Sequence, residues 1–468
     1  MPAKTDSPPP AYFLSLSLEN VRSFGEKQTI SFAREDGRPA QWTIILGDNG
    51  VGKTTVLKSL AALMPIEGRF GDNPEPAYVR KWQDLWLPVR SGRQADRADR
   101  VEESHMPLIP KRLRELPDFK TSLLSCTIRS GVKLLDVLDK EATSIPCSLD
   151  MPFKERQPVG RGWITMPAEA TEAICYGYGA GRSVGNSTLA ASQEFTDDTC
   201  ASLFNDRADL LNPEEWFLQM EYSSLKQDQQ AAKSLKQVQQ ALLQVLPDVT
   251  DIQIASKGHQ QYLEVETPYG WVRLRDMSLG YQTLVVWLTD FASKLFIRYP
   301  DSKKPLEEPA IVLIDEIDLH LHPSWQRKLI GFLSGIFKNT QFIATAHSPL
   351  VVQAASDADA NVVLLKREGD QTVVVRNLPD VRRWRIEQIL SSELFDDTPP
   401  LSAQTEKDLQ RRNELLLKKR LTAKEKTELE QLNAALTTQP VGTTAPERRA
   451  EDLLAQLARN LGQADILQ

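Results

Sequence analysis

Residues Gly47-Asp48-Asn49-Gly50-Val51-Gly52-Lys53-Thr54 satisfy the pattern GxxxxGK[ST] at every fixed position. The apolar run WTIIL ends just before them, and TVLKSLAALM, with apolar residues at helical spacing, follows. A strand, a glycine-rich loop and a helix in that order point to an α/β fold, because a further parallel strand requires a crossover connection. The same eight residues carry chemistry. Their glycines let successive backbone N–H groups close around phosphate oxygens at a helix N-terminus. Lys53 reaches the β and γ oxygens, Thr54 can ligate Mg²⁺, and Thr55 lies in the first turn of the helix behind them. ATP and Mg²⁺ are the expected ligands.

A second cluster, LIDEIDLHLHP (Leu313 to Pro323), places three acids and two histidines in eleven residues. The apolar strand AIVLID ends at Asp315, whose carboxylate is suited to share the Mg²⁺ shell with Thr54, and the adjacent Glu316 is free to polarise an attacking water. A metal cage of Asp315, Glu316, Asp318, His320 and His322 is the competing reading. No third His or Cys ligand lies nearby in sequence to complete it. Two further segments complete the pattern. In DMSLGYQT, Ser278 and Gly280 precede a helix, where a hydroxyl and an N–H can face an anion. The strand QFIATAH ends in His347. The four segments run in the order glycine loop, Ser-x-Gly, acid pair, histidine.

The remaining chain frames these segments. Residues 1–11 read as a Pro-rich disordered lead-in, and residues 12–64 with 170–395 as one α/β head with a mixed sheet flanked by helices. Residues 65–169, irregular and rich in Arg and Pro, read as an insertion, and 396–468 as a charged helical C-terminal region. Asn212 and Pro213 mark a helix start, and Thr422 with Glu425 forms a capping box. The net charge of −7, from 56 Lys+Arg against 63 Asp+Glu, restricts nucleic-acid binding to a local patch. Val79 to Arg100, with Trp82 and Trp86 among basic residues, is the candidate for DNA contact, and a solvated or partner-binding insertion is its alternative. Four widely spaced cysteines without CxxC fit a reducing compartment, and no apolar run or leader points to a membrane or to export. A cytoplasmic protein is expected.

Order and intervals of the four segments resemble the ABC-type ATPase head, in its SMC/RecF-like branch, over about 12–64 and 170–378. The resemblance implies that two heads sandwich ATP. Ser278 and Gly280 then act in trans, His347 contacts the γ-phosphate or catalytic water in cis, and Asp318 and His320 belong to a dimer-contacting D-loop. NVRSF resembles the start of the same family and makes Arg22 a candidate phosphate contact, a solvated turn arginine being the alternative. The chain departs from the family at Tyr281, where many members have Glu. It also has no evident Q-loop glutamine after AICYGYG, where Arg182 or a neighbour stands. LSLGYQTLVVWLTDF, LIDEIDLHLHPSWQ and RWRIEQILSSELF resemble the compact anti-phage ATPase group that includes the Septu ATPase, and the PARIS defence ATPase has a similar plan. That resemblance implies an ATP-hydrolysing sensor, a homodimer or higher homo-oligomer, that controls a separate effector nuclease, HNH-type if Septu-like. No nuclease activity of its own is expected. A RecF-like ATP-dependent DNA-repair clamp is the alternative.

Overall fold

Three strands are buried along nearly their whole length: β3 (Trp42–Gly47), β12 (Ala310–Ile314) and β13 (Thr340–Thr345). Such continuous apolar runs, without polar alternation, belong to parallel strands covered on both faces. The computed structural model describes residues 11–63 except 20, the strand segments 121–130, 143–154, 157–158 and 163–165, and residues 175–182. It also describes 199–437 except 206–207, 209, 247, 259, 377, 400 and 419–420. Outside these lie Val79 to Arg100, most of the Pro-rich lead-in, His105, His259 and the last helix expected from sequence.

The chain divides into two compact units, Met1–Ile389 and Leu390–Gln468. Sequence composition set this boundary near 395, six residues later.

In the first unit the chain opens with β1 (Ala11–Glu19) and β2 (Gln28–Ser31), an antiparallel pair, and then runs through β3 into α1 (Lys53–Ala62). β4 (Thr121–Ser130) pairs antiparallel with β1 and with β5 (Thr143–Lys154), while β6 (Gln157–Pro158) and β7 (Trp163–Thr165) both pair with β5. Two long strands of the supposed insertion are thus part of the N-terminal sheet. Proline hid one of them in sequence, since Pro146 and Pro152 fall within β5 opposite Thr127 and Thr121 of β4.

After β8 (Cys175–Tyr178) come α2 (Ala201–Phe204), α3 (Pro213–Leu225) and α4 (Gln229–Val245). Asn212 caps α3 with Pro213 in its first turn, as its sequence signals require. A three-stranded antiparallel sheet of β9 (Asp251–Lys257), β10 (Gln260–Thr267) and β11 (Gly270–Arg273) leads into α5 (Leu279–Arg298). Beyond β12, α6 (Pro323–Ile336), β13, α7 (Pro349–Asp357), β14 (Asn361–Glu368) and β15 (Gln371–Val375) complete the unit.

The central sheet has the order β15-β14-β3-β13-β12-β8, parallel except for the edge hairpin of β14 with β15. Parallel pairing brings the C-terminal ends of β3, β12, β13 and β8 to one edge, where ligands of open α/β sheets gather. The architecture is that of a P-loop NTPase.

Both sheet faces are filled. Val56, Leu57 and Leu60 of α1 share one core with Phe13 and Leu16 of β1 and with Ile311, Leu313 and Ile343 of the central sheet. On the other face Trp42 stacks on Phe342 at 4.3 Å, Phe342 meets Phe337, Phe337 meets Phe291, and Tyr176 meets Phe291 edge-on. In the second unit α8 (Ala403–Leu417) and α9 (Ala423–Thr437) are joined by a bidentate pair, Arg411 Nε and Nη2 to the Glu428 carboxylate at 2.7 and 3.1 Å. The capping box holds as well, with Thr422 N–H and Glu425 N–H each bonded to the other's side chain. No helix among the described residues is long and apolar enough to cross a membrane.

Truncating Phe342, fully buried on the central strand, should lower the unfolding free energy by about 3–5 kcal/mol. Urea unfolding of F342A, followed by tryptophan emission, checks this.

Candidate functional site

The glycine loop bends as only glycine readily permits. Gly47, Gly50 and Gly52 have φ of 140°, 84° and 95°. A Cβ at Gly47 would lie 2.3 Å from the Leu365 carbonyl oxygen, and one at Gly52 would lie 2.7 Å from Ser23 Oγ. Gly52 precedes the first turn of α1, so the loop's last N–H groups point along a helix N-terminus. Asp48, Asn49 and Gly50 are exposed, whereas Val51 and Thr55 are buried. Lys53 folds back: its ammonium donates to the carbonyls of Gly47 at 2.7 Å and Asp48 at 2.9 Å. Burial pushes its pKa down, and the carboxylates of Asp315, Glu316, Asp48 and Asp318 oppose that fall.

Strand ends bring the acid pair to this loop. Thr54 Oγ1 donates to Asp315 Oδ2 at 2.7 Å, across 261 residues of sequence. The other oxygen, Oδ1, accepts from Thr345 Oγ1 at 2.6 Å, and Thr345 Oγ1 in turn accepts the Glu316 N–H at 2.7 Å. One threonine therefore touches both residues of the acid pair, through the Asp315 carboxylate and the Glu316 backbone. Sequence reading missed it, because a lone Thr near the end of a buried strand belongs to no motif. The signal available was its place, two residues before His347 on a strand that had to neighbour the acid strand.

Glu316 and His320 have left-handed backbones, with φ of 50° and 63°. The Asp318 carboxylate accepts the His347 N–H at 3.0 Å, joining the segment after Glu316 to the end of the β13 segment. Gln326 reinforces that join, donating to the carbonyls of Asp318 and Leu321 and accepting from Ser348 Oγ at 2.6 Å. The His347 side chain is exposed. His322 Nδ1 lies 3.3 Å from the Ser324 N–H and caps α6. Among the described residues no group of three or more His, Cys, Asp or Glu side chains is placed so that it could hold a metal ion.

Ser278 is exposed at the start of α5, and Gly280 is buried beside the segment that follows Glu316, where a Cβ would come within 2.5 Å of the His320 carbonyl oxygen. Tyr281, the departure from the family pattern, packs edge-on to Trp325 at 4.3 Å. Farther along α5, Asp290 receives Tyr178 Oη at 2.7 Å, Lys294 Nζ at 2.6 Å and the Leu211 N–H at 3.2 Å. This buried acid ties the helix behind Ser278 to β8, whose Tyr178 carbonyl accepts the Asp315 N–H. Burial and the Asp290 carboxylate hold the Tyr178 phenol well above its usual pKa.

Arg22 has a left-handed backbone, φ 47°, in the turn that places Ser23 and Phe24 against Gly52. Arg182 is buried, and its Nη2 donates to the Glu316 carbonyl at 2.7 Å. Glycine loop, acid pair, Asp318, His347 and Arg182 thus form one contiguous site, with Ser278, Gly280 and His320 on an adjoining face. Thr54 and Asp315 offer a hydroxyl and a carboxylate, hard oxygen donors that fit Mg²⁺.

Fold and site define a P-loop NTPase head. Its relatives are more particular. Residues 201–353 match a family model described as "AAA domain, putative AbiEii toxin, Type IV TA system", and residues 15–67 match one described as "AAA domain". The chain is similar to Septu protein PtuA of Bacillus mycoides (24% identity over 82% of this chain and 45% of that protein). It is also similar to the "Retron Ec83 probable ATPase" of Escherichia coli (38% over 29% of this chain and 24% of that one). A Bacillus thuringiensis PtuA is 33% identical over 29% of this chain and 35% of its own. The chain spans less than half the length of these relatives. The resemblance to compact defence ATPases read from the motifs holds in these relatives.

Replacing Thr345 with Val keeps the shape but leaves the Glu316 N–H unpaired and removes one donor from Asp315, a cost of about 1–3 kcal/mol. Denaturant unfolding of T345V should show that loss, and its ATP turnover should fall in parallel.

Proposed function

We propose that the chain is the ATP-hydrolysing regulatory subunit of an anti-phage defence complex, pairing head to head around ATP and controlling a separate effector nuclease. The observation that carries the ATPase reading is the hydrogen-bonded path Thr54–Asp315–Thr345–Glu316, which joins the glycine loop to the acid pair in one geometry. Similarity to Septu PtuA and to retron ATPases supports the defence setting.

In this reading the N–H groups of residues 47–54 receive the phosphates, and Lys53 leaves the Gly47 and Asp48 carbonyls for the β and γ oxygens. Thr54 and Asp315 would hold Mg²⁺, which would supply positive charge to offset that of the phosphates. Glu316, with its backbone N–H fixed by Thr345, orients and polarises the attacking water. His347 lies at the γ-phosphate end, its main chain anchored by Asp318. Ser278 and Gly280 of a second copy close the site, and Asp318 and His320 face that copy. Because ligand contacts come from both subunits, ATP favours the paired state and hydrolysis relaxes it.

Glu316→Gln should lower kcat by roughly 100-fold or more while ATP still binds. With ATP present, light scattering should find E316Q at twice the mass of the nucleotide-free chain, and purification from its host should bring down a nuclease subunit. An ATP-loaded monomer would argue against the sandwich, and a complex without nuclease against the effector role.

A further inference from the structure

Arg182 is a buried cation that the chemistry described so far does not use. It follows β8 on the edge of the central sheet and keeps only 7% of its surface exposed. Its Nη2 donates to the Glu316 carbonyl at 2.7 Å, and its Nε–H finds no acceptor among the described residues. Three carboxylates, Asp315, Glu316 and Asp318, interact with its charge. Burial lowers its pKa to about 10, a fall these acids oppose, so it stays protonated at neutral pH.

Glu316 is the residue this cation touches, and Glu316 is strained. Its φ of 50° is a left-handed backbone that a side chain with a Cβ rarely adopts. Such a conformation persists only where the surroundings over-determine it. Here both backbone polar groups of the residue are held from outside its own segment, the N–H by Thr345 Oγ1 at 2.7 Å and the carbonyl by Arg182, which adds to a local turn bond from the Leu319 N–H at 3.1 Å. The Thr345 contact comes from β13 and the Arg182 contact from the β8 side, so the clamp spans the acid strand between them.

We propose that Arg182 is a positioning residue for hydrolysis. With Thr345 it clamps Glu316 in its left-handed backbone, and so fixes the direction of the carboxylate toward the attacking water. The inference rests on Glu316 being the water-polarising residue. A guanidinium suits the task better than an ammonium, because a planar fork keeps one N–H on a carbonyl without swivelling. Its charge also offsets three clustered acids that would otherwise repel one another.

Steady-state ATP hydrolysis by the full-length chain tests this, with Arg182→Ala, Arg182→Lys and Glu316→Gln assayed together. R182A should lose roughly 10- to 100-fold in kcat, the scale of a charge-assisted hydrogen bond, with KM for ATP within about threefold of the parent. Guanidinium chloride at millimolar concentration should restore several-fold activity to R182A, and sodium chloride at equal ionic strength should not. R182K, which keeps the charge, should fold and lose less kcat than R182A, again at nearly constant KM. If R182A cannot be isolated folded, R182K alone decides through the same split.

Unchanged kcat in the folded variant, or a rise in KM without a fall in kcat, overturns the proposal. So does a loss in folded R182A that guanidinium leaves untouched. Should E316Q retain turnover, the assignment of Glu316 itself fails. An inactive E316Q beside a fully active R182A removes only the clamp.

Discussion

The Asp315 carboxylate is the interaction on which the site depends. It sits at the end of a strand buried on both faces, and each of its oxygens accepts a hydroxyl hydrogen bond, from Thr54 on one side and Thr345 on the other. Buried charge is costly unless paired or hydrogen-bonded, and here the partners that lower that cost come from the glycine-loop helix and the neighbouring strand. Their presence requires β3, β12 and β13 to lie side by side in parallel register, which in turn requires the crossover helices that cover the sheet. Sheet order and site geometry are therefore one constraint seen at two scales.

Much of this was legible beforehand, for identifiable reasons. The glycine loop is legible because its positions are fixed by local backbone demands: positive φ at Gly50 and Gly52, and a carbonyl 2.3 Å from where a Cβ at Gly47 would lie. Asp315 and Glu316 were legible because a long apolar run must end somewhere, and acids at such an end stand out. Thr345 was not singled out, and Arg182 was noted only as standing where a Q-loop glutamine would, because the contacts each makes with Glu316 lie 29 and 134 residues away, which no spacing rule encodes. β5 failed for a different reason, since proline argues locally against a strand that its pairing with β4 nonetheless accommodates.

The face around Ser278 shows how far local and distant forces share the work. Gly280 has an ordinary helical setting, yet the His320 carbonyl leaves no room for a side chain there. Behind it, Asp290 gathers a phenol, an ammonium and a backbone N–H, and links α5 to the edge strand β8 that also carries the hydrogen bond to Asp315. Position 280 and position 290 thus constrain the same helix, one by excluding atoms and the other by binding them.

The fold-back of Lys53 onto the carbonyls of Gly47 and Asp48 acts as an internal competitor. An anion engages the ammonium only by displacing two charge-assisted hydrogen bonds already made. A small monoanion that touches only the N–H groups leaves those bonds in place, whereas a polyphosphate long enough to reach the ammonium would replace them. In the proposed ATPase the lysine therefore separates ligands by their length, engaging only one that extends past the N–H groups of the loop.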